Sequence, residues 1–159
     1  YHHCLRWEAF QKAMRLGGLT WQHDPLLFPR TVDHTYVEMD RLAGEVLAGL
    51  ARRADRPTAL VCPADRWALA VLNAAPQAGL QVPGELSVVG FDCIPASVYA
   101  SPRLSSICVP STAMGRRAAE LLLARIASPD APTQRAQFAG ELVLRDSIAP
   151  PPPTKDTTR

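Results

Sequence analysis

The chain has 159 residues, 47% of them hydrophobic and 20% charged, a composition that suits about one globular domain with a core of its own. Its 17 lysine and arginine residues against 15 aspartate and glutamate residues are dispersed, so there is no basic stripe for nucleic acid or an anionic membrane surface. No apolar run approaches the roughly 20 residues needed to span a bilayer, and no lysine-rich, apolar leader opens the sequence, which therefore reads as soluble and cytoplasmic.

Taken in chain order, Trp7, Phe10 and Met14 recur at helical spacing between Arg6 and Leu16, and Gly17-Gly18 follow where a left-handed helix end is expected. Residues 25–30 have room only for a short strand or loop. From Asp33 to Arg53, Tyr36, Met39, Ala43, Val46, Leu47 and Leu50 make one apolar stripe, with Arg52 and Arg53 in the closing turn and Pro57 as the stop. Thr58 to Cys62 is a continuous apolar run, as expected for a strand buried on both faces of a parallel sheet. Pro63-Ala64-Asp65 then turns into a helix reaching Ala78 and closed by Gly79. An interior proline costs about 3 kcal/mol, so Pro76 predicts a kink or an early end.

Ser87 to Phe91 predicts a second buried strand, ending at Asp92, and Leu104 to Val109 a third. Ser111 is placed to cap a helix carrying Met114, Ala118, Leu121 and Leu122, which Pro129-Asp130 ends. Ala139 to Arg145 predicts a last strand, and Ala149 to Arg159 a proline-rich, disordered tail. Helices alternate with short apolar strands over brief connections, which predicts a parallel α/β sheet covered by helices on both faces. Ligands bind such sheets beyond the carboxyl ends of the strands. Two turns place carboxylates there: Pro63-Ala64-Asp65 and Asp92-Cys93.

The chemistry at those turns reads as binding, not catalysis. No G-x-S-x-G, P-loop or G-x-G-x-x-G occurs, and an Asp65/Asp92 acid–base pair would have no nucleophile or cofactor motif beside it. His2 and His3 are adjacent, while His23 and His34 have no acidic or cysteine partner at ligand spacing, so no metal site is expected. Cys4, Cys62, Cys93 and Cys108 are widely spaced without a C-x-x-C pair, which also argues against disulfide chemistry. Asp92 is either a carboxylate accepting hydrogen bonds from a ligand or a turn former satisfied by its own backbone. Arg6 either faces the same ligand or is a solvated residue at a helix start. Asp65 reads as a structural helix N-cap, worth about 1 kcal/mol. Trp67 belongs in the core or at a subunit contact.

The ordered strings PTALVCPADRWALAVLNAAPQAGLQVPGELSVVGFD, YASPRLSSICVP, MGRRAAELLLARI and ELVLRDSIAP resemble the closing stretch of LacI/GalR-type repressors. Arg6-Trp7-Glu8-Ala9-Phe10 resembles the R-x-x-G-F helix start of that family, with Ala9 where glycine is usual. The likeness covers most of residues 5 to 150. It implies a periplasmic-binding-protein-like type I fold, two α/β subdomains joined by three crossovers with a small effector between them. By it, residues 1–148 are a partial sensor domain. Residues 1–109 and 138–148 form the carboxy-terminal subdomain, 110–137 a crossover and helix of the amino-terminal one, and 149–159 the tail.

The same resemblance implies that Arg6 and Asp92 reach the effector. It puts Ala64 at a contact position where asparagine is commoner, and offers Phe28 as the aromatic residue stacking on effector. It implies a cytoplasmic, ligand-controlled repressor acting as a homodimer, without cofactor or metal and without membrane contact. Operator DNA would be bound through a helix-turn-helix headpiece that is absent from these residues. An extracytoplasmic sugar-binding receptor of the same fold is the alternative. The sequence begins at Tyr1, which leaves room for a headpiece or a secretory leader upstream.

Overall fold

The computed structural model describes residues 2–19 and 36–151. Helix α1 runs over His2–Leu16, α2 over Tyr36–Ala51, α3 over Asp65–Ala74 and α4 over Ser111–Ala127. The strands are β1 (Ala59–Val61), β2 (Ser87–Phe91), β3 (Ser105–Cys108) and β4 (Glu141–Val143). They form one sheet in the order β1-β2-β3-β4, in which β1, β2 and β3 are parallel. β4 pairs antiparallel with β3, with Ser106 opposite Val143, and so departs from the all-parallel expectation. The β3–β4 connection contains α4 and the stretch 128–140, and this stretch brings the chain back along the edge of β3 in the opposite direction.

The core forms where the apolar stripe of α2 meets α3 and the sheet. Met39, Ala43, Leu47 and Leu50 are buried at i, i+4, i+8 and i+11, the repeat that keeps one helix face inward. Against them lie Ala68, Val71, Leu72 and Ala75, with Leu60, Val88 and Leu104 contributed by or beside the strands. Trp67 is half-buried against this cluster, on its core side. β1 differs from the doubly buried strand expected: only Leu60 is buried, while Ala59 and Val61 are exposed, because β1 is an edge strand with one uncovered face.

Pro76 ends α3 early, at Ala74, and begins a 3₁₀ turn over Pro76–Ala78. Gly79 then takes a left-handed backbone (φ 72°), letting its N–H reach Pro76 O while Leu80 N–H reaches Ala75 O. The same pair of bonds closes α1 at Gly17-Gly18, from Gly18 N–H to Arg15 O and Leu19 N–H to Met14 O. At α4 the boundary falls on Pro110, not on Ser111, which is already helical, and no side chain caps the helix.

The segment after β4 is a clasp across the sheet. Ser147, fully buried, donates its hydroxyl to Val88 O at 2.7 Å and accepts from Ser105 N–H at 2.8 Å, while Val88 N–H reaches Ser147 O. Ala149, where the composition begins the tail, accepts from Ser87 Oγ and donates its N–H back to it. Residues 152–159 lie outside the described residues.

Candidate functional site

Because β1, β2 and β3 are parallel, their carboxyl ends converge on one edge, bringing together residues 62–65, 92–94 and 108–110. Arg6, on α1, reaches this edge. Its guanidinium carbon sits 3.8 Å from the centroid of the Phe91 ring, an Nη1 hydrogen bond goes to Pro63 O, and Nη2 lies 3.7 Å from Asp92 Oδ1. Arg6 is thereby held by a cation–π contact and a backbone carbonyl, beside a carboxylate it does not fully neutralise. Both side chains remain 39% exposed, so the donor fork and the acceptor face outward together. Such a pair can both donate to and accept from a hydroxyl-bearing molecule.

Asp92 is held in an uncommon backbone state, with φ 102°, and Cys93 follows at φ 57°. Asp92 N–H bonds Ile107 O at 3.0 Å, Cys93 N–H bonds Ser106 Oγ at 3.2 Å and Ile94 N–H bonds Asp65 Oδ2 at 2.8 Å. Partial burial raises the Asp92 carboxyl above its ordinary value, against the opposing pull of Arg6; the carboxylate of Asp65 adds to the rise.

Asp65 does not cap α3. The cap position is Ala64, extended at φ −155° and ψ 154°, with no side-chain cap hydrogen bond, and Asp65 is already the first helical residue. Its carboxylate, 1% exposed, accepts from Ile94 N–H, from Ser97 Oγ and, on the other oxygen, from Ser106 Oγ. Asp65 is thus not the helix N-cap expected; its carboxylate ties the turn after β1 to the segment after β2 and to β3. Ala64 is half-buried next to Pro63, whose carbonyl Arg6 engages. Phe28 lies outside the described residues.

Cys93 and Cys108 are joined in a disulfide, with Cα atoms 4.7 Å apart, which corrects the expectation of unpaired cysteines. The two lie 15 residues apart in sequence, and only the parallel register of β2 and β3 brings the ends together. Phe91, Ser97 and Ser106 were also missed: a strand-end aromatic and two serines carry no signal until the sheet is assembled.

A cavity of about 510 Å³ lies elsewhere, at the start of α4, lined by Val109, Pro110, Ser111, Arg116, Arg117 and Glu120. The Arg6–Asp92 pair sits on an open face and not in that cavity, which matches one wall of a cleft better than a finished pocket. Among the described residues no helix is long and apolar enough to cross a membrane.

A family model described as a periplasmic binding protein-like domain matches residues 1–148. A CelR–cellobiose complex superposes with TM-score 0.74 at 27% identity, over 89% of this chain and 41% of that one. The chain belongs to the periplasmic-binding-protein-like family. A LacI family transcriptional regulator from Lactobacillus casei with bound sucrose aligns with TM-score 0.71 at 25% identity, over 93% of this chain and 52% of that one. The chain is 42% identical over 144 residues to the transcriptional repressor PurR of Aliivibrio fischeri, covering 91% of itself and 41% of that protein. It is 38% identical over 102 residues to the ribose operon repressor of Haemophilus influenzae, covering 64% of itself and 31% of that protein. The chain thus spans well under half the length of the curated relatives it matches.

Proposed function

We propose that this chain is the carboxy-terminal part of the effector-sensing domain of a LacI-type transcriptional repressor. Residues 1–109 and 138–148 form one subdomain, and 110–137 supply a crossover and helix to the other. A small hydroxyl-bearing metabolite, a sugar or a relative of one, binds between the subdomains, with Arg6 donating, Asp92 accepting, Ala64 lining the turn and Phe28 stacking. The repressor is a cytoplasmic homodimer that binds its operator through a helix-turn-helix headpiece outside these residues. No catalysis, metal or cofactor is involved. Effector changes operator affinity only by binding one arrangement of the subdomains better than the other.

The observation that carries this reading is the outward-facing Arg6–Asp92 pair at the carboxyl edge of a parallel sheet. Relatives named as repressors, a CelR regulator structure holding cellobiose and a LacI family regulator structure holding sucrose support the class of protein and of ligand. Calorimetric titration of the complete regulator against pentoses, hexoses, disaccharides and purines tests it. Binding of one of them that Arg6→Ala and Asp92→Ala weaken is the expected result, and binding that ignores both substitutions would remove the pair from the site.

A second reading, an extracytoplasmic sugar-binding receptor, draws on the Cys93–Cys108 disulfide, since such bonds persist in oxidising compartments. Fractionation of cells expressing the complete protein separates the two.

A further inference from the structure

The carboxyl edge holds a sulfur pair that ligand binding does not use. Cys93 follows Asp92 directly and shares its left-handed backbone. Cys108 ends β3, two residues before Pro110 opens α4. The bond between them ties the turn that aims the Asp92 carboxylate to the segment through which the chain leaves the sheet.

The surroundings separate these sulfurs from Cys62. Cys62 is a free thiol, buried, and burial with the nearby Asp65 carboxylate pushes it up to about 12, so it is inert. Cys93 and Cys108 are only half-buried. Arg145 Nη2 lies 3.3 Å from Cys93 Sγ, and the same guanidinium is anchored on Leu104 O. A fixed cation against a reachable sulfur is the setting in which a thiolate is stabilised and exchange is fast.

We propose that Cys93 and Cys108 are a reversible thiol–disulfide pair, a redox-operated clamp between the Asp92 turn and the start of α4, opened by a dithiol reductant. A thiolate of the reductant attacks Cys108 Sγ, and the electron pair of the S–S bond leaves on Cys93 Sγ beside Arg145. The reductant's second thiol, deprotonated, then attacks its own sulfur in the mixed disulfide and releases Cys108. The reductant departs as a disulfide, two electrons have passed to the protein, and the reductant's two protons end on Cys93 and Cys108. Opening leaves the turn held by hydrogen bonds alone, from Asp92 N–H to Ile107 O, Cys93 N–H to Ser106 Oγ and Ile94 N–H to Asp65, without its covalent tie to β3. The redox step stands by itself, and only its consequence for ligand affinity rests on the proposed binding site.

The test uses the complete, unaltered protein, so no variant has to fold. Samples equilibrated in mixtures of reduced and oxidised dithiothreitol are alkylated, digested and weighed, and hydrogen exchange is followed on the same samples. The bridged Cys93–Cys108 peptide should form and vanish reversibly while Cys62 stays unalkylated. On reduction, the amides of Asp92, Cys93, Ile94 and Val109 should exchange faster by about tenfold or more. Absence of the bridged peptide at every ratio, a bridge that opens only in denaturant, or exchange rates indifferent to reduction would each overturn the proposal. None of these readings involves a ligand, so a misplaced binding site would fail separately, in the titrations of Arg6→Ala and Asp92→Ala.

Discussion

A β-carbon on Gly90 would stand 2.1 Å from Asp65 Oδ1 and 3.1 Å from Leu104 Cδ2. Gly90 has no unusual φ, so the constraint is one of space: β2 must let the buried carboxylate lie across its backbone to reach Ile94, Ser97 and Ser106. Gly90→Ala should therefore push the carboxylate away or bend β2, at a cost of about 1–3 kcal/mol. Urea unfolding of the complete protein measures it, and an unchanged midpoint would mean that Asp65 moves aside freely.

Asp65→Ala removes the acceptor and leaves up to three donors at a buried site. Each unmade bond costs about 1–3 kcal/mol, less whatever water recovers. Asp65→Asn keeps one acceptor oxygen and should lose less. If the two variants unfold at the same urea concentration, the carboxylate holds fewer than the three bonds assigned to it.

Much of this arrangement was legible in the sequence, and the rest fails for identifiable reasons. The α2 stripe, the early end of α3 at Pro76 and the strand ends at Cys62 and Asp92 are local signals of period, turn and proline, and the structure has them. The resemblance placed Arg6 and Asp92 each in reach of an effector, and their side chains stand 3.7 Å apart. The failures are non-local. Asp65 next to a strand looks like a cap until Ser97 and Ser106 arrive from distant segments, and Cys93 and Cys108 look unrelated until β2 and β3 register. The direction of β4 could not be read from its own residues either, since a short apolar strand looks the same in both directions.

Arg6→Ala and Asp92→Ala should each weaken effector binding while leaving the fold intact, because both side chains are well exposed and neither belongs to the core. A charge-assisted hydrogen bond to ligand is worth about 1.5–3 kcal/mol, roughly a tenfold to hundredfold loss of affinity. Circular dichroism melts on the same samples check that the loss is in binding and not in folding.

Asp92→Asn separates binding from stability. The carboxyl is raised by partial burial, so the folded chain keeps this proton to a higher pH than the unfolded chain does. The stability linked to the neutral form is complete below the ordinary value of 3.8 and is lost as pH rises through the higher folded value. Asparagine removes that loss. The ligand-free variant should melt above the unaltered protein at pH 7, with the difference closing in acid, while its ligand affinity falls. A variant that melts lower at pH 7 would show that attraction to Arg6 outweighs burial.

The last prediction concerns α4, which buries none of its residues among those described. Met114 is 42% exposed, Leu122 61%, Leu123 66% and Ile126 65%, on a helix whose composition favours helix formation but whose apolar side has no cover. Fully burying a leucine contributes about 1.5–3 kcal/mol, so an uncovered stripe of this length forfeits several kcal/mol against a typical stability of about 5–15. Residues of the complete protein outside this chain are the proposed cover, since the relatives extend well beyond it. Residues 1–159 expressed alone should then bind a hydrophobic dye or self-associate, and amides across 111–127 should exchange far faster than those of α2 and α3. Leu122→Lys and Ile126→Lys should reduce dye binding with little change in the melting temperature, because the core formed by Leu47, Leu50, Val88 and Leu104 does not include them. In the complete protein the same substitutions should destabilise, as a charge is then forced into a covered surface. Strong exchange protection throughout 111–127 in a monomer of residues 1–159 would mean that the helix has found its partner within these residues, and the division between two subdomains would be wrong.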